Sequence, residues 1–290
     1  MKNKKDLLIA FFGTPVLAVR VLERLKANGI TPALVVTSPD RPKGRGKIMT
    51  PPPVKEWALG AGIDVAQPIT LKNGFADELH NTEWDLFIVA AYGKIIPKNI
   101  LDIPRHGTLN VHPSLLPKFR GPSPILSALL VDERETGVSI MLLDEEMDHG
   151  PIVAQARVEI EKDDWPLKGS VLEALLADEG GNLLAEVIPP WVAGEIVPEP
   201  QDHSVATYTK KFEDADARVD MSDGAYANFL KIKTFDENPR AYMLAEKNGK
   251  SMRVIITDAD YKDGTLQITR VIPEGKKEMA YEDFLRGLQN

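Results

Sequence analysis

The first half of the sequence alternates short apolar runs with stretches of helical periodicity. The run 6–12 is apolar and ends at Gly13, as expected for a strand that is buried on both faces of a parallel sheet. Signals of this kind predict five strands, at residues 6–12, 33–37, 63–66, 84–92 and 108–112. Helices are predicted between them, at residues 16–25, 53–60 and 75–80. Strands separated by helix-length segments indicate βαβ units, so we predict an α/β fold with a doubly wound, mostly parallel sheet.

The pattern changes after residue 112. A helix is predicted at 125–131, a pair of alternating strands at 136–143 and 152–159, and one long helix at 170–191. The polar segment 193–207 contains two prolines and no periodicity, which is typical of a linker. Beyond it, the pattern predicts a helix at 224–232 and strands at 252–257 and 265–271. We therefore expect a first domain at 1–192, a linker at 193–207 and a smaller, mostly β second domain at 208–290.

The composition is that of an ordinary globular protein. Of the 290 residues, 43% are hydrophobic and 27% are charged, and no run of 18 apolar residues that could cross a membrane occurs. The absence of cysteine excludes disulfides, Cys-ligated zinc, iron–sulfur clusters and a thiol nucleophile. The apolar run near the N-terminus is only about seven residues long, so we expect no signal peptide and a cytoplasmic protein.

The net charge of −8 argues against general affinity for nucleic acid, because the field of the whole molecule repels phosphate. Any nucleic-acid partner therefore requires a local basic patch. One candidate is a run of four cations within seven residues, Arg41, Lys43, Arg45 and Lys47. A charge run of this kind is more often a solvated loop, and both interpretations stay open at this point.

Three polar residues are candidates for catalysis. Asn110 and His112 lie two apart at the end of the predicted strand 108–112, so both point to one face at the carboxyl edge of the sheet, where ligands bind in open α/β folds. Asp148 follows in the turn between the two alternating strands. These groups suit attack on an acyl or formyl carbon. The amide donates to the oxyanion, the histidine moves a proton, and the carboxylate orients the histidine.

Other interpretations of these residues stay open. A histidine at a strand end is more often structural than catalytic, His149 could replace His112 as the acid–base group, and Asp148 could be only a turn residue. Residues 114–124 form either a proline-stiffened loop or a wall that holds a planar ligand. No GxGxxG, P-loop or HExxH motif occurs, so dinucleotide, nucleotide and zinc-protease functions lack support, and no metal site is predicted.

Longer segments carry a resemblance to a known family. In chain order they are FFGTP (11–15), VVTSPDRPKGRGK (35–47), PPPVKEWA (51–58), AYGKIIP (91–97), GTLNVHPSLLPKFRGPSPI (107–125), MDHGPI (147–152), ATYTKK (206–211) and PEGKKEM (273–279). These motifs resemble the folate-dependent formyltransferase family. The basic PDRPKGRGK loop resembles the tRNA-specific branch of that family, the methionyl-tRNA formyltransferases. The resemblance covers essentially the whole chain.

The resemblance implies an enzyme that transfers the formyl group of 10-formyltetrahydrofolate to the α-amino group of methionyl initiator tRNA in translation initiation. It implies that Asn110, His112 and Asp148 are the catalytic residues. The implied folate contacts are Ser114, Leu115, Leu116 and Pro117, and the implied tRNA contacts are Arg41, Lys43, Arg45 and Lys47. The family also implies a Rossmann-like catalytic domain, an OB-like second domain that supports the tRNA, no metal, and a monomer.

The sequence departs from the family in its second domain. The stretch between Arg253 and Thr265 is short, so we expect a barrel with missing or reduced strands. The domain is also near neutral in total charge, so a tRNA contact requires that its cations lie on one face. The candidates are Lys210, Lys211, Lys231, Lys233, Arg253, Lys276 and Lys277.

Two other functions compete with this one. A formyltransferase for an amino sugar or for glycinamide ribonucleotide would share the catalytic residues. The sugar enzymes lack a basic loop of the 41–47 kind, and the ribonucleotide enzymes carry a Gly/Ser-rich phosphate loop that FFGTP lacks. A non-catalytic RNA-binding module is the second alternative, and the negative net charge disfavours it because RNA affinity depends on neutralising phosphates.

Overall fold

The computed structural model describes residues 7–44, 46–72, 74–247 and 249–289. These residues form two compact units. Unit 1 contains the described residues of segments 1–122, 135–158 and 174–208, and unit 2 contains those of segments 123–134, 159–173 and 209–290. The domain boundaries expected at 192 and 208 stay a prediction.

Eight helices and thirteen strands occur in the described part of the chain. The helices are α1 (Val16–Ala27), α2 (Pro53–Gly60), α3 (Phe75–His80), α4 (Lys98–Leu101), α5 (Pro124–Leu130), α6 (Gly169–Val192), α7 (Ala225–Thr234) and α8 (Tyr281–Gln289). The strands are β1 (Ile9–Gly13), β2 (Leu34–Val36), β3 (Arg41–Lys43), β4 (Ile48–Thr50), β5 (Asp64–Ala66), β6 (Leu86–Ala90), β7 (Thr108–His112), β8 (Thr136–Leu142), β9 (Ile152–Val158), β10 (Tyr242–Lys247), β11 (Lys250–Lys262), β12 (Thr265–Pro273) and β13 (Met279–Ala280).

Unit 1 is built on a seven-stranded sheet with the strand order β5-β2-β1-β6-β7-β8-β9. The five strands from β5 to β7 pair in parallel, whereas β8 and β9 join antiparallel. Every residue of β1, β6 and β7 is buried, which explains their continuous apolar runs. The strand order reverses between β1 and β6, and ligands of such sheets bind outside the carboxyl ends of the strands at that point. The predicted doubly wound, mostly parallel sheet is confirmed.

Helix α6 carries two glycines where it meets its neighbours in unit 1. A Cβ on Gly180 would lie 2.5 Å from Cγ1 of Val111 on β7, and a Cβ on Gly181 would lie 2.6 Å from Cβ of Arg24 on α1. The missing side chains let the helix lie directly on the sheet and on α1. Val111 alternates with Asn110 and His112 along the strand, so α6 supports β7 from the face opposite those two side chains.

Unit 2 is organised around an antiparallel sheet with the strand order β10-β11-β12-β13. A two-residue turn joins β11 to β12 at Asp263 (φ 50°) and Gly264 (φ 77°), as in tight hairpins. The core of the unit includes Phe229, Phe235 and Val254. The predicted β-rich second region is confirmed. Its described residues form four strands, one fewer than the five of an OB-fold, and the expectation of a reduced barrel stays a prediction.

Several elements of the structure were not predicted. β3 and β4 form a separate hairpin inside the basic segment, and the other elements without a prediction are α4, β10, β13 and α8. The strand predicted at 252–257 is the middle of the longer β11. A register shift near Asp258 bends this strand, which interrupts the alternation that would have revealed its full length.

Candidate active site

The site begins at the carboxyl end of β7. Asn110 and His112 are buried there, with 8% and 4% of their surface exposed. Asn110 pairs with Val89 on β6 and with Met141 on β8, so β7 is held on both sides. Because Asn110 and His112 are two residues apart on a strand, their side chains share one face of the sheet, as the sequence predicted.

His112 has a partner at each ring nitrogen. Nε2 donates to the main-chain oxygen of Phe119 at 3.0 Å, and because a carbonyl only accepts, this nitrogen carries a proton. Nδ1 lies 3.6 Å from Oδ1 of Asp148. This distance is longer than a hydrogen bond, so the carboxylate attracts a charged ring without sharing a proton with it. The ring orientation is fixed by the main chain of Phe119, and Asp148 faces the other ring nitrogen.

Asp148 is held in the turn between β8 and β9. Its backbone is left-handed (φ 51°), a conformation that aspartate tolerates better than most residues. Oδ2 accepts the N–H of Gly121 at 2.7 Å, which leaves Oδ1 directed at His112. Asp148 is thus both a turn residue and the carboxylate that faces His112.

His149 has a different environment from His112. Its Nδ1 lies 2.9 Å from Oδ2 of Asp144, and its ring stacks on His203 at a centroid distance of 4.0 Å. His112 is the histidine that faces Asp148. The geometry therefore favours His112 over His149 as the acid–base group.

The loop 114–117 is fixed to the antiparallel edge of the sheet. The hydroxyl of Ser139 on β8 donates to the oxygen of Ser114 at 2.6 Å and accepts the N–H of Leu116 at 3.0 Å. Gln155 on β9 donates to the oxygen of Leu116 at 2.9 Å. Side chains of β8 and β9 thus hold the main chain of this loop in place next to His112. The buried residues of the loop are Ser114 and Leu116, and its half-buried residues are Leu115 and Pro117.

Two buried hydroxyls lie near the carboxyl ends of β2 and β6. Thr37 and Tyr92 have side-chain oxygens without a hydrogen-bond partner among the described residues. Burial raises the pKa of Tyr92 to about 12, so its phenol is neutral at physiological pH. Next to them, Thr14 donates to the oxygen of Tyr92 at 3.1 Å and shares a hydrogen bond with Ser38. The segment FFGTP thereby connects β1 to β2 and β6 at the strand ends.

The basic segment forms the hairpin of β3 and β4. The structure places Arg41, Lys43 and Lys47 on exposed positions, and Arg45 lies outside the described residues. At the base of the hairpin, Asp40 accepts hydrogen bonds from Gln67 and Lys55, each at 2.8 Å. The Gln67 amide and the Lys55 ammonium together lower the pKa of Asp40. The hairpin is therefore anchored at its base, and its cations face solvent.

The cations proposed for the second domain include several with acidic partners inside unit 2. Lys210 pairs with Asp216 at 2.5 Å, and Arg253 pairs with Asp214 at the same distance. Lys231 lies 3.5 Å from an oxygen of Asp223. Such pairs reduce the charge that these residues can offer to a phosphate.

Sequence reasoning missed the main-chain part of the site. Residues 114–124 were interpreted as a loop or a ligand wall, but Phe119 and Gly121 use their main-chain groups to hold His112 and Asp148. A backbone carbonyl or N–H is present at nearly every position, so no residue type reveals such a contact. Gly121, which adopts φ 113°, is the residue of this segment whose type signals an unusual backbone.

The described residues contain neither a metal-binding cluster nor a membrane-spanning helix. In that part of the chain, no group of three or more His, Asp or Glu side chains is placed to hold a metal ion. No helix within the described residues combines the length and apolar character needed to cross a bilayer.

Known proteins resemble this chain in sequence and in fold. Residues 6–188 match the family described as formyl transferase. A methionyl-tRNA formyltransferase from Chloroflexus aggregans is 45% identical over 97% of each chain, and one from Bacillus licheniformis is 38% identical over 96% of this chain and 94% of its own. HypX from Aquifex aeolicus, solved with tetrahydrofolic acid, has the same fold (TM-score 0.66, 18% identity) over 98% of this chain. That match covers only 48% of HypX, so this chain spans about half of its length.

Proposed function

The chain belongs to the methionyl-tRNA formyltransferase family, and we propose that Asn110, His112 and Asp148 carry out the family reaction in it. The enzyme transfers a formyl group to the α-amino group of methionyl initiator tRNA in translation initiation. Its co-substrate is a folate, and we propose the 10-formyl derivative of tetrahydrofolate as the donor. We further propose that the enzyme acts as a monomer in the cytoplasm, where translation begins.

The observation that carries the assignment is the arrangement around His112. Its ring is fixed between the oxygen of Phe119 and the carboxylate of Asp148, and Asn110 shares its face of the sheet. One amide donor, one imidazole and one acid are thereby available beside the carboxyl end of β7, at the sheet edge outside which ligands of open α/β folds bind. The fixed loop 114–117 and the unpartnered hydroxyls of Thr37 and Tyr92 fit a site for a planar, polar folate.

The first step forms a carbon–nitrogen bond. The neutral α-amino group attacks the formyl carbon, and the carbonyl oxygen becomes an oxyanion. Asn110 stabilises that charge by donating a hydrogen bond. A protonated His112 adds its positive charge and the N–H of Nδ1, which lies beyond hydrogen-bond distance of Asp148 and is therefore available to the oxyanion. Removing one such donor typically raises the barrier by about 3–4 kcal/mol.

The second step breaks the bond between the formyl carbon and the folate nitrogen. Asp148 accepts the proton released by the attacking amine, directly or through one water, and keeps His112 in place for proton transfer. The leaving nitrogen takes up one proton, so the reaction yields formylated methionine on tRNA and the unformylated folate. The buried surroundings of His112 and Asn110 keep bulk water from competing with the amine.

Two neighbouring acids provide a matched test of these roles. Asp148→Asn removes the acid that faces His112, whereas Asp144→Asn removes an acid of the same turn that contacts His149. We expect Asp148→Asn and Asn110→Ala each to lower the single-turnover formylation rate at least about 100-fold, and Asp144→Asn to stay near the wild-type rate. A wild-type rate in Asp148→Asn or Asn110→Ala would overturn the role assignment.

The acceptor is tested in the same assay. Charged initiator tRNA and amino sugars compete for the formyl group of 10-formyltetrahydrofolate, and formyl transfer is followed to each acceptor. The proposal requires transfer to methionyl-tRNA, whereas preferred transfer to a sugar would assign the chain to another branch of formyltransferases.

A further inference from the structure

Arg120 is a deeply buried cation that the proposed reaction does not use. It is 1% exposed, and its guanidinium donates to three neutral acceptors. Nε and Nη2 donate to Oε1 of Gln201 at 3.0 and 2.6 Å, Nη2 also donates to Nδ1 of His203 at 2.9 Å, and Nη1 donates to the hydroxyl of Tyr208 at 3.3 Å. A buried charge is tolerated only when its donors are satisfied, so these acceptors define the position of the side chain.

Gln201 connects this arginine to the turn that carries Asp148. It is buried, and its Nε2 donates to the main-chain oxygens of Asp148 at 3.0 Å and of Gly150 at 2.7 Å. Arginine can only donate and carbonyl oxygens can only accept, so the amide can satisfy both sides in one orientation only. An unbroken chain of hydrogen bonds therefore runs from Arg120 through Gln201 to the backbone of Asp148.

The chain neighbours of Arg120 hold the two reactive side chains. Phe119 accepts from Nε2 of His112, and Gly121 donates to Oδ2 of Asp148. The main chain of Arg120 is itself fixed, because its N–H donates to the oxygen of Thr207 at 2.9 Å. A displacement of Arg120 would move the partners of both His112 and Asp148.

We propose that Arg120 and Gln201 are positioning residues that set the geometry of His112 and Asp148. The proposal rests on the catalytic roles given to those two residues under the proposed function. Arg120 holds the segment that contacts both side chains, and Gln201 holds the backbone of Asp148 from the other side. Because a misplacement of about 1 Å in a reacting group can lower a rate about 100-fold, this network is expected to control turnover rather than substrate binding.

Gln201→Glu is the decisive variant. A glutamate keeps, and strengthens, an acceptor for Arg120, so the buried cation stays paired. Its second oxygen faces the oxygens of Asp148 and Gly150 with no proton to donate, which displaces the turn. We expect kcat to fall at least about tenfold while KM for 10-formyltetrahydrofolate changes less than about threefold. The control is Asp202→Asn, which replaces an acid by an amide at the next position of the chain. This position is exposed, and the variant is expected to keep the wild-type kcat.

A double variant separates positioning from a general structural effect. If Gln201 acts through Asp148, adding Gln201→Glu to Asp148→Asn lowers the residual rate by less than about threefold. If the rate reduction in the double variant equalled the product of the two single reductions, Gln201 would act independently of Asp148, and the proposal would be overturned. A wild-type kcat in Gln201→Glu would overturn it as well.

Arg120→Lys provides a second measurement. Lysine keeps the charge but has a single ammonium group in place of the fork that reaches three acceptors, so the same loss of kcat with little change in KM is expected. A wild-type kcat in this variant would contradict the role of Arg120. The failure of the proposed function has a different signature, because in that case Asp148→Asn itself keeps the wild-type rate.

Discussion

Two non-glycine residues of the site adopt a left-handed backbone conformation. Asp148 has φ 51° and Phe119 has φ 60°, and such a conformation typically costs about 1–2 kcal/mol per residue. The N–H of Phe119 donates to Oγ1 of Thr207 at 2.8 Å, and its oxygen accepts from His112, so specific contacts offset the strain. Strained residues of this kind concentrate where function requires a fixed geometry. The strained backbone and the side-chain geometry therefore indicate the same site, around His112 and Asp148.

The buried hydroxyl of Tyr92 allows a test of whether a single oxygen atom lacks a hydrogen-bond partner. This hydroxyl has no partner among the described residues, so Tyr92→Phe is expected to leave stability at pH 8 unchanged or to raise it by up to about 1 kcal/mol. The raised pKa of about 12 adds a pH dependence. The folded state holds this proton more tightly than the unfolded state, so wild-type stability falls between pH about 10 and about 12, and the variant lacks that contribution.

Urea unfolding at pH 8 and pH 11 checks both parts. Tyr226→Phe is the comparison, because the Tyr226 hydroxyl donates to Asp132 at 3.0 Å and its loss is expected to cost about 1 kcal/mol. A loss of more than about 1 kcal/mol in Tyr92→Phe at pH 8 would contradict the absence of a partner.

Among the elements, α6 determines how firmly β7 is supported. Gly180→Ala would bring a Cβ within 2.5 Å of Val111, a β-branched side chain that cannot rotate away. We expect a loss of about 1–3 kcal/mol in the free energy of unfolding, measured in urea, although alanine is the better helix former. Gly60→Ala in α2 is the control, because a Cβ there meets open space and the variant should be as stable as wild type or slightly more so. Equal stabilities of the two variants would show that α6 does not lie on β7 as described.

The strands at the centre of the sheet were predictable because burial on both faces leaves an apolar run. β1, β6 and β7 are such strands, and their order along the chain implied the parallel sheet. The hairpin of β3 and β4 was not predictable, because its three-residue strands are exposed and β3 carries two cations. The periodicity of the long helix gives no reason for Gly180 and Gly181, and only the packing against Val111 and Arg24 explains them.

The candidate site was predictable only in part. Asn110, His112 and Asp148 could be chosen from residue type, strand position and resemblance. The partners that hold them could not be chosen, because Phe119 and Gly121 use backbone atoms. Gln201 lies in a segment that was interpreted as a linker from its polar composition. Sequence thus indicates the candidate reacting groups, whereas the contacts that fix their geometry depend on the fold.

At the scale of the whole molecule, the negative net charge of the protein repels the negatively charged tRNA. The chain carries a net charge of −8, so binding of a polyanion depends on local cations. Arg41 and Lys43 are exposed on the anchored hairpin. We therefore expect these two cations to contribute to tRNA binding.

Removing both hairpin cations tests this account. Arg41→Ala combined with Lys43→Ala is expected to raise KM for methionyl-tRNA and to reduce the slope of log affinity against log salt by about 2, while KM for the folate stays unchanged. The control with the same charge change is Lys98→Ala combined with Arg157→Ala, which removes two exposed cations of unit 1 that pair with Asp102 and Glu135. If KM for methionyl-tRNA and the salt slope changed equally in the two double variants, net charge, and not the hairpin, would govern tRNA binding.

The central claim is that Asn110, His112 and Asp148 act on one carbon atom. A crystal structure with a stable analogue of 10-formyltetrahydrofolate measures this directly. We expect the formyl position of the analogue to lie within hydrogen-bonding reach, about 2.6–3.2 Å, of the Asn110 amide or the His112 ring, with Asp148 no further than one bridging water. An analogue bound at another surface, or with its formyl group directed away from these side chains, would contradict it.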